Sequence, residues 1–470
     1  MSTGTTDETG TLSQIDRRSF LQTTAIVGVT IGSLTGSVRA SGGDDLWRFP
    51  TWSAVRSSPT MVDQTVYVGS DDYSVWALDA VTGEEVWVFD TGDPVRSSPT
   101  VVDEMVYVGS HDANLYALDA VSGEEIWSFE TRGEVVSSPT VVDETVYVGS
   151  SDNHVYALDA ESGEESWSLE TGGEVVSSPT VVDDTVYIGS DDASLWALDT
   201  ATGQEVWSFE TGDSVHSSPT VAHGTVYVGS NDTNLYALDV RSGEAVWSFE
   251  TGDIVSSSPT VADGTVYVGS FDTALYAVET ASGEEVWAFQ TGDVVFSSPT
   301  VVNGRVYVGS FDTYLYAVDI ASGEAVWAFG TDETVAPAPA VQSSPLVVDG
   351  TVYVGADDAN VYALDAGVGG SSEGSRANLG TLGHHTGVTG DMPTTDVRKD
   401  DDDAETVAPE NDEKDTVTSE GDDESDTVAA GEDDDAEQAA TDDAAPGFGV
   451  GGSLTALGAT GYLLSRRLRS

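Results

Sequence analysis

The 470-residue chain has no cysteine, two lysines and six histidines. Without cysteine there is no disulfide, and attachment of a lipid through an N-terminal thiol is excluded. The two lysines, Lys399 and Lys414, stand against a formal net charge of −66, a surface that does not favour the phosphates of a nucleic acid. No glycine-rich, phosphate-cradling loop ends in its lysine. His111, His154, His216 and His223 have neither metal-ligand nor catalytic spacing, and the His384-His385 pair has no further ligands beside it. Helical periodicity is also missing. The apolar runs of residues 46–366 are short and bounded by turn formers, which excludes crossover helices.

A repeat takes their place. From Ala77 to Trp327 the chain writes Ala-x-(Asp/Glu)-x-x-(Ser/Thr)-Gly-x-x-x-Trp seven times at a 40-residue interval, with tryptophans at Trp87, Trp127, Trp167, Trp207, Trp247, Trp287 and Trp327. A period of this length means a solenoid, a propeller or an array. Each copy holds four apolar runs, shown in the second by Ser97–Val102, Met105–Val108, Leu115–Leu118 and Glu125–Phe129. Their connections, such as Asp103-Glu104 and Ser122-Gly123, are turns, so each repeat reads as a four-stranded antiparallel meander. Runs such as Val106-Tyr107-Val108 are apolar at both parities, as in a sheet stacked between two others.

Four strands per repeat predict an all-β, eight-bladed β-propeller, with blade openings marked by Ser-Ser-Pro at Ser57, Ser97, Ser137, Ser177, Ser217, Ser257, Ser297 and Ser343. The eighth copy stops near Ala366 without a fourth strand. Leu46-Trp47-Arg48-Phe49 carries the missing Trp-x-Phe pattern at the other end of the domain. The N-terminal strand is therefore expected to pair with the last blade and close the ring, covering surface that an open ring would expose.

On these residues the chain resembles the pyrroloquinoline-quinone-type β-propeller repeat family and its tryptophan-docking motif, over residues 46–366. The resemblance implies that Trp47, Trp87, Trp127, Trp167, Trp207, Trp247, Trp287 and Trp327 dock neighbouring blades. Departures are small: Glu279 replaces the aspartate and Leu169 the phenylalanine. The family includes quinone-dependent dehydrogenases, whose inserted loops build a calcium and cofactor site, and barrel-assembly lipoproteins that work by binding proteins. This chain keeps its 40-residue spacing and lengthens by only six residues, near 331–339. It also lacks the adjacent-cysteine disulfide of the dehydrogenases. The expectation is a protein that is not an enzyme and has no cofactor or metal. The alternatives are a pyrroloquinoline-quinone-dependent dehydrogenase and a small-ligand-sensing propeller.

Asp72, Asp112, Asp152, Asp192, Asp232, Asp272, Asp312 and Asp358 recur one per blade. They read as turn aspartates bonding nearby backbone, since converging them on one ion would take side chains across the ring. Binding is expected where the copies differ. Two variable positions share one rim in an antiparallel meander: the residue before Ser-Ser-Pro and the residue after Gly-Ser or Gly-Ala. They place Arg56, Arg96 and His111 on a basic side and Phe271, Phe296 and Phe311, with Tyr314 beside them, on an aromatic side; His216 lies between. Arginine and aromatic residues anchor protein interfaces.

The ends suggest location. Residues 1–40 resemble a twin-arginine export signal, with Arg17-Arg18 before an apolar stretch and a small-residue cleavage site at Ala40. The propeller domain is set at 41–366. Residues 367–445 read as an acidic, disordered spacer, with 24 Asp or Glu between 371 and 445. Residues 446–470 resemble an archaeal surface-protein sorting signal: Pro446-Gly447-Phe448, an apolar run and closing arginines. The resemblance implies either replacement of the tail by a lipid or a plain transmembrane anchor. The dense acids resemble those of halophilic proteins, whose repulsion high salt screens. Together these features predict a monomer on the outer face of the cell membrane, handled by export and sorting machinery, with a protein or cell-envelope component as partner.

Overall fold

The computed structural model describes residues 42–331 and 338–372. The export signal with Arg17 and Arg18, the six residues 332–337 of the lengthened connection, His384-His385, the acidic spacer beyond 372, and Pro446, Gly447 and Phe448 all lie outside the described residues. Among the described residues every regular element is a strand, and no helix is long and apolar enough to cross a membrane.

The strands run β1 to β32 in chain order and form eight four-stranded antiparallel sheets, the blades of an eight-bladed propeller. Blade one contains β2 (Thr60–Val62), β3 (Thr65–Ser70), β4 (Ser74–Asp79) and β5 (Glu85–Asp90). Six more blades repeat this order. Blade eight is built from β30 (Leu346–Val348), β31 (Thr351–Ala356), β32 (Asn360–Asp365) and, from the other end of the domain, β1 (Asp45–Pro50). Trp47 pairs with Ala363 and Phe49 with Val361, and this register closes the ring.

Burial is high in the first three strands of each blade and falls at the outer one. The second strand of blade two, Met105–Gly109, is buried at every position except Met105, because both its faces meet neighbouring blades. The outer strand Glu125–Glu130 exposes its two glutamates and buries Trp127. Eight hydrophobic clusters fill the eight seams, one between each pair of neighbours. The cluster joining blades one and two brings Tyr67, Ala77, Trp87 and Val95 against Val106, Val108 and Leu118. Burial of these side chains is the main favourable term, since an isolated blade would leave both faces in water.

The tryptophans tie the same seams with directed bonds. Trp87 Nε1 donates to the carbonyl of Ala120 in blade two at 2.9 Å, and Tyr67 Oη reaches that oxygen at 3.2 Å. The indole lies on Gly123, whose φ is +71° and where a Cβ would stand 2.7 Å from the ring. Glycine therefore serves there both the turn and the close approach. Trp127, Trp167, Trp207, Trp247 and Trp287 repeat the bond to the next blade, Trp47 closes the series on Ala80, and Trp327 bonds Ala366.

Two boundaries differ from the sequence reading. The first strand of each blade is three residues long and begins at the threonine after Ser-Ser-Pro, or at Leu346 in blade eight, so the serines lie before it. They form a separate device around the axis. Ser58 N donates to Ser98 Oγ, Ser98 N to Ser138 Oγ, and so on through Ser178, Ser218, Ser258, Ser298 and Ser344, until Ser344 N donates back to Ser58 Oγ. The first serine of each pair bonds its own blade: Ser97 Oγ accepts the amide of Gly109 at 3.0 Å. Proline cannot donate to a strand ladder, and its carbonyl instead accepts from the previous blade, as Pro99 does from Thr60 Oγ1 at 2.7 Å.

The domain also runs past Ala366. Gly370 O accepts from Gly350 N, and the fully buried Ser372 bonds Val347 N and O, which holds residues 367–372 against β30 and the β30–β31 turn. Gly43 N bonds Asp365 O at the other terminus. Both described ends therefore lie on the face that carries the β30–β31 turn. The connections into each first strand and between the second and third strands lie on the opposite face.

Candidate functional site

The two variable positions of each blade meet at the mouth of the ring. The residue before Ser-Ser-Pro stands between the residue after Gly-Ser of its own blade and that of the blade before. The sixteen positions thus form one closed circuit around the axis. Apart from buried Ser256, all are half-buried.

Polar contacts follow that circuit in blades eight to two. Gln342 donates to Asp357 at 2.8 Å. Arg56 bonds Asp357 through Nε at 3.0 Å and Asp71 through Nη1 at 2.8 Å, and Arg96 bonds Asp71 through Nε at 2.9 Å. Asp71, 11% exposed, therefore holds two guanidinium groups, and this sector is charge-paired rather than basic. His111 adjoins it with Nδ1 3.0 Å from Glu134, while its buried Nε2 has no protein partner. Burial pushes the His111 imidazole below its ordinary value, opposed by the charge of Glu134 and reinforced by nearby Arg96.

A second polar run crosses blades four to six. His216 Nε2 lies 2.6 Å from Asp191, His216 Nδ1 lies 3.4 Å from Asn231 Nδ2, and Ser256 donates to Asn231 Oδ1 at 3.0 Å. Val136 and Val176 face the mouth between the two polar runs, near Ser151.

The circuit becomes aromatic in blades six and seven. Phe296 stands between Phe271, with ring centres 6.2 Å apart, and Phe311, 6.4 Å away, at interplanar angles of 59° and 58°. Tyr314 packs along blade seven: its ring lies 5.9 Å from Tyr316 and runs alongside Gly330 of the outer strand. The three phenylalanines are the aromatic sector, and Tyr314 supports the blade behind them.

The recurring aspartates are held locally. Asp112 Oδ1 accepts the amide of Asn114 at 3.0 Å, and its Oδ2 accepts Tyr116 Oη at 2.8 Å and the amide of Gly92 in the preceding connection at 2.7 Å. Asp152, Asp232, Asp272 and Asp312 repeat the bond to tyrosine; in Asp72 and Asp192 a tryptophan replaces it. Burial and the adjacent carboxylate push Tyr116 and its counterparts above the ordinary phenol value. These aspartates fasten one blade to the next, and no three His, Asp or Glu among the described residues are grouped as a metal would require. The described mouth does not fit a calcium-bound quinone, because its arginines are taken by Asp71 and Asp357 and its recurring carboxylates by backbone and phenol.

Two residues on this face were missed at the sequence level. Trp52 is 69% exposed and Tyr73 46%, and Trp52 N donates to Asp72 beside Tyr73. Tyr73 holds a φ of +74°, where the other blades carry alanine, asparagine or threonine. The corresponding position to Trp52 is glycine in five blades, so comparing every column of the repeat would have exposed both.

Comparison with known proteins places this geometry. The profile of the family described as outer membrane protein assembly factor BamB matches residues 19–102, 82–178, 171–256 and 235–373. No curated protein sequence matches the chain significantly. Among solved structures, BamB from Moraxella catarrhalis is 19% identical with a TM-score of 0.60, covering 68% of this chain and 99% of its own. The computationally designed Ika8 protein is 18% identical with a TM-score of 0.62, covering 69% and 100%. A europium-containing methanol dehydrogenase is 15% identical with a TM-score of 0.58, covering 68% and 93%. At such identities the likeness is one of fold.

Proposed function

Because the chain belongs to the outer membrane protein assembly factor BamB family, we propose that the ring is a non-enzymatic scaffold that binds a protein or another cell-envelope component through its variable rim. The observation that carries this reading is the unbroken run of Phe271, Phe296 and Phe311 at the mouth. Three half-buried rings occupy positions where other blades place Arg, Gln, His, Val, Ser, Asn or Asp. Partly exposed aromatic clusters mark interaction surfaces, and one-sided placement gives a partner an orientation.

The position of the chain ends supports the same reading. Both described ends lie on the face opposite the rim, so a tether at either end leaves the mouth clear. In this account the chain is exported as a folded monomer through the signal around Arg17-Arg18. It is then held at the outer face of the membrane by the tail that begins at Pro446-Gly447-Phe448, through a lipid or a membrane span. The acidic spacer sets the distance, and concentrated salt screens the −66 net charge.

The test is a photo-crosslinker placed at Phe296 and, as control, at Val246 on an outer strand, 57% exposed. In intact cells a discrete adduct is expected from position 296 and not from 246. The same adducts from both positions would overturn the rim as the binding surface.

A further inference from the structure

Resting on the rim reading above, we infer that the phenylalanine sector recognises a cationic segment, an arginine- or lysine-bearing peptide stretch whose charged head seats against Phe271, Phe296 and Phe311. The rings are spaced at 6.2 and 6.4 Å and strongly tilted, so they form a stepped wall that leaves ring surface open to the mouth. An aromatic face carries negative quadrupole density and attracts a cation, most strongly where water is partly excluded.

Carboxylates flank this wall. Phe271 N donates to Ile254 O at 2.9 Å and Ser270 Oγ to Asp253 O at 3.1 Å, which brings the main chain of Asp253 alongside that of Ser270 and Phe271. Phe311 N donates to Val294 O at 2.9 Å and Ser310 Oγ to Asp293 O at 3.1 Å, which brings the main chain of Asp293 alongside that of Ser310 and Phe311. Each carboxylate accepts the amide of the following residue at 2.9 Å, which holds it on the connection next to its phenylalanine. The rim's own arginines are in blades one and two, bonded to Asp71 and Asp357. A cation with an apolar stem matches both the wall and its flanks. An acidic segment would be repelled, and so would a second copy of this acidic chain. A purely apolar one would desolvate carboxylates without compensation.

The experiment uses the full chain in 1 M KCl, where the Debye length falls to about 3 Å and general attraction to an acidic surface is suppressed. The probes are a fluorescein-labelled Gly-Leu-Arg-Leu-Arg-Gly peptide and its counterpart with norleucine for both arginines. The arginine peptide is expected to bind roughly tenfold tighter. That advantage should be lost in Phe296→Ala and in the doubly substituted Asp253→Asn/Asp293→Asn protein, where asparagine still accepts the local amide. Equal binding of both peptides, abolished by Phe296→Ala, would overturn the cationic partner and leave the rim as a binding surface. No binding of either peptide, or an arginine preference unchanged by these substitutions, would also overturn it, while the crosslinking contrast between positions 296 and 246 decides the rim independently.

Discussion

Arg56 and Ser58 are two residues apart, yet they belong to regions built on different rules. At Ser58 the eight blades are interchangeable: each contributes a serine whose hydroxyl accepts from the previous blade, and the eight bonds close on themselves around the axis. At Arg56 the blades differ, and the circuit breaks into an ion-paired sector, a histidine–asparagine–serine run and an aromatic wall. A ring closes only if every seam fits the next, so repetition is imposed at the seams and axis. The mouth has no such requirement. Difference between blades is the form that specificity takes there.

The sharpest way to break this comparison is to open the ring. Deleting Asp45–Pro50 removes the fourth strand of blade eight and the Trp47 bond to Ala80. The largest effect is expected: loss of a single cooperative melt, read by calorimetry. Survival of a cooperative melt would mean that closure contributes little.

A single seam comes next. Trp87→Ala empties an indole site between blades one and two and removes the bond to Ala120. Large aromatic truncations in cores cost about 3–5 kcal/mol, and chemical denaturation should show a loss in that range. On the rim, Asp71→Ala leaves two guanidinium groups short of their shared acceptor, and about 1–3 kcal/mol is expected for losing charged hydrogen bonds. A loss equal to that of Trp87→Ala would erase the distinction between seam and mouth.

A smaller effect concerns the turn aspartates Asp119, Asp159 and Asp319, which hydrogen bonds from the neighbouring serine hydroxyl and amide hold below the ordinary carboxylate value. A depressed carboxyl stabilises the fold above its unfolded value, 3.8, and that contribution disappears as pH falls through the lower folded value. Stability should therefore decline below about pH 4, and Ser122→Ala should flatten the decline, measured by denaturation across pH 2–6.

Much of this fold was legible from the 40-residue tryptophan pattern. Even the closing strand was written as Leu46-Trp47-Arg48-Phe49, because Trp-x-Phe marks an outer strand wherever it falls. Ser-Ser-Pro was legible as a blade marker but not as an axial ring, since its bonds join residues mostly 40 apart through backbone amides that carry no side-chain signature. The rim columns were visible too, but their pairing was not. Arg96 meets Asp71 and Phe296 meets Phe271 across a seam, 25 positions apart, and only the blade register sets that meeting. Reading Arg56 and Arg96 as a basic side failed because Asp71 and Asp357, present in the same columns, were not matched to them. Tyr314 opens a third strand, and the contact of its ring with Tyr316 of its own blade was not legible from the rim columns.

The most direct test of the account compares the crosslinked adduct of a partner in intact cells between wild type and a Phe271→Ser/Phe296→Ser/Phe311→Ser protein carrying the crosslinker at Trp52, with melting temperatures measured in parallel. Trp52 lies on the rim face and is 69% exposed, so the probe does not disturb the aromatic wall. The account predicts that the adduct disappears while the ring still melts cooperatively. An undiminished adduct from an equally folded ring would contradict the claim that this protein binds through the positions where its blades differ.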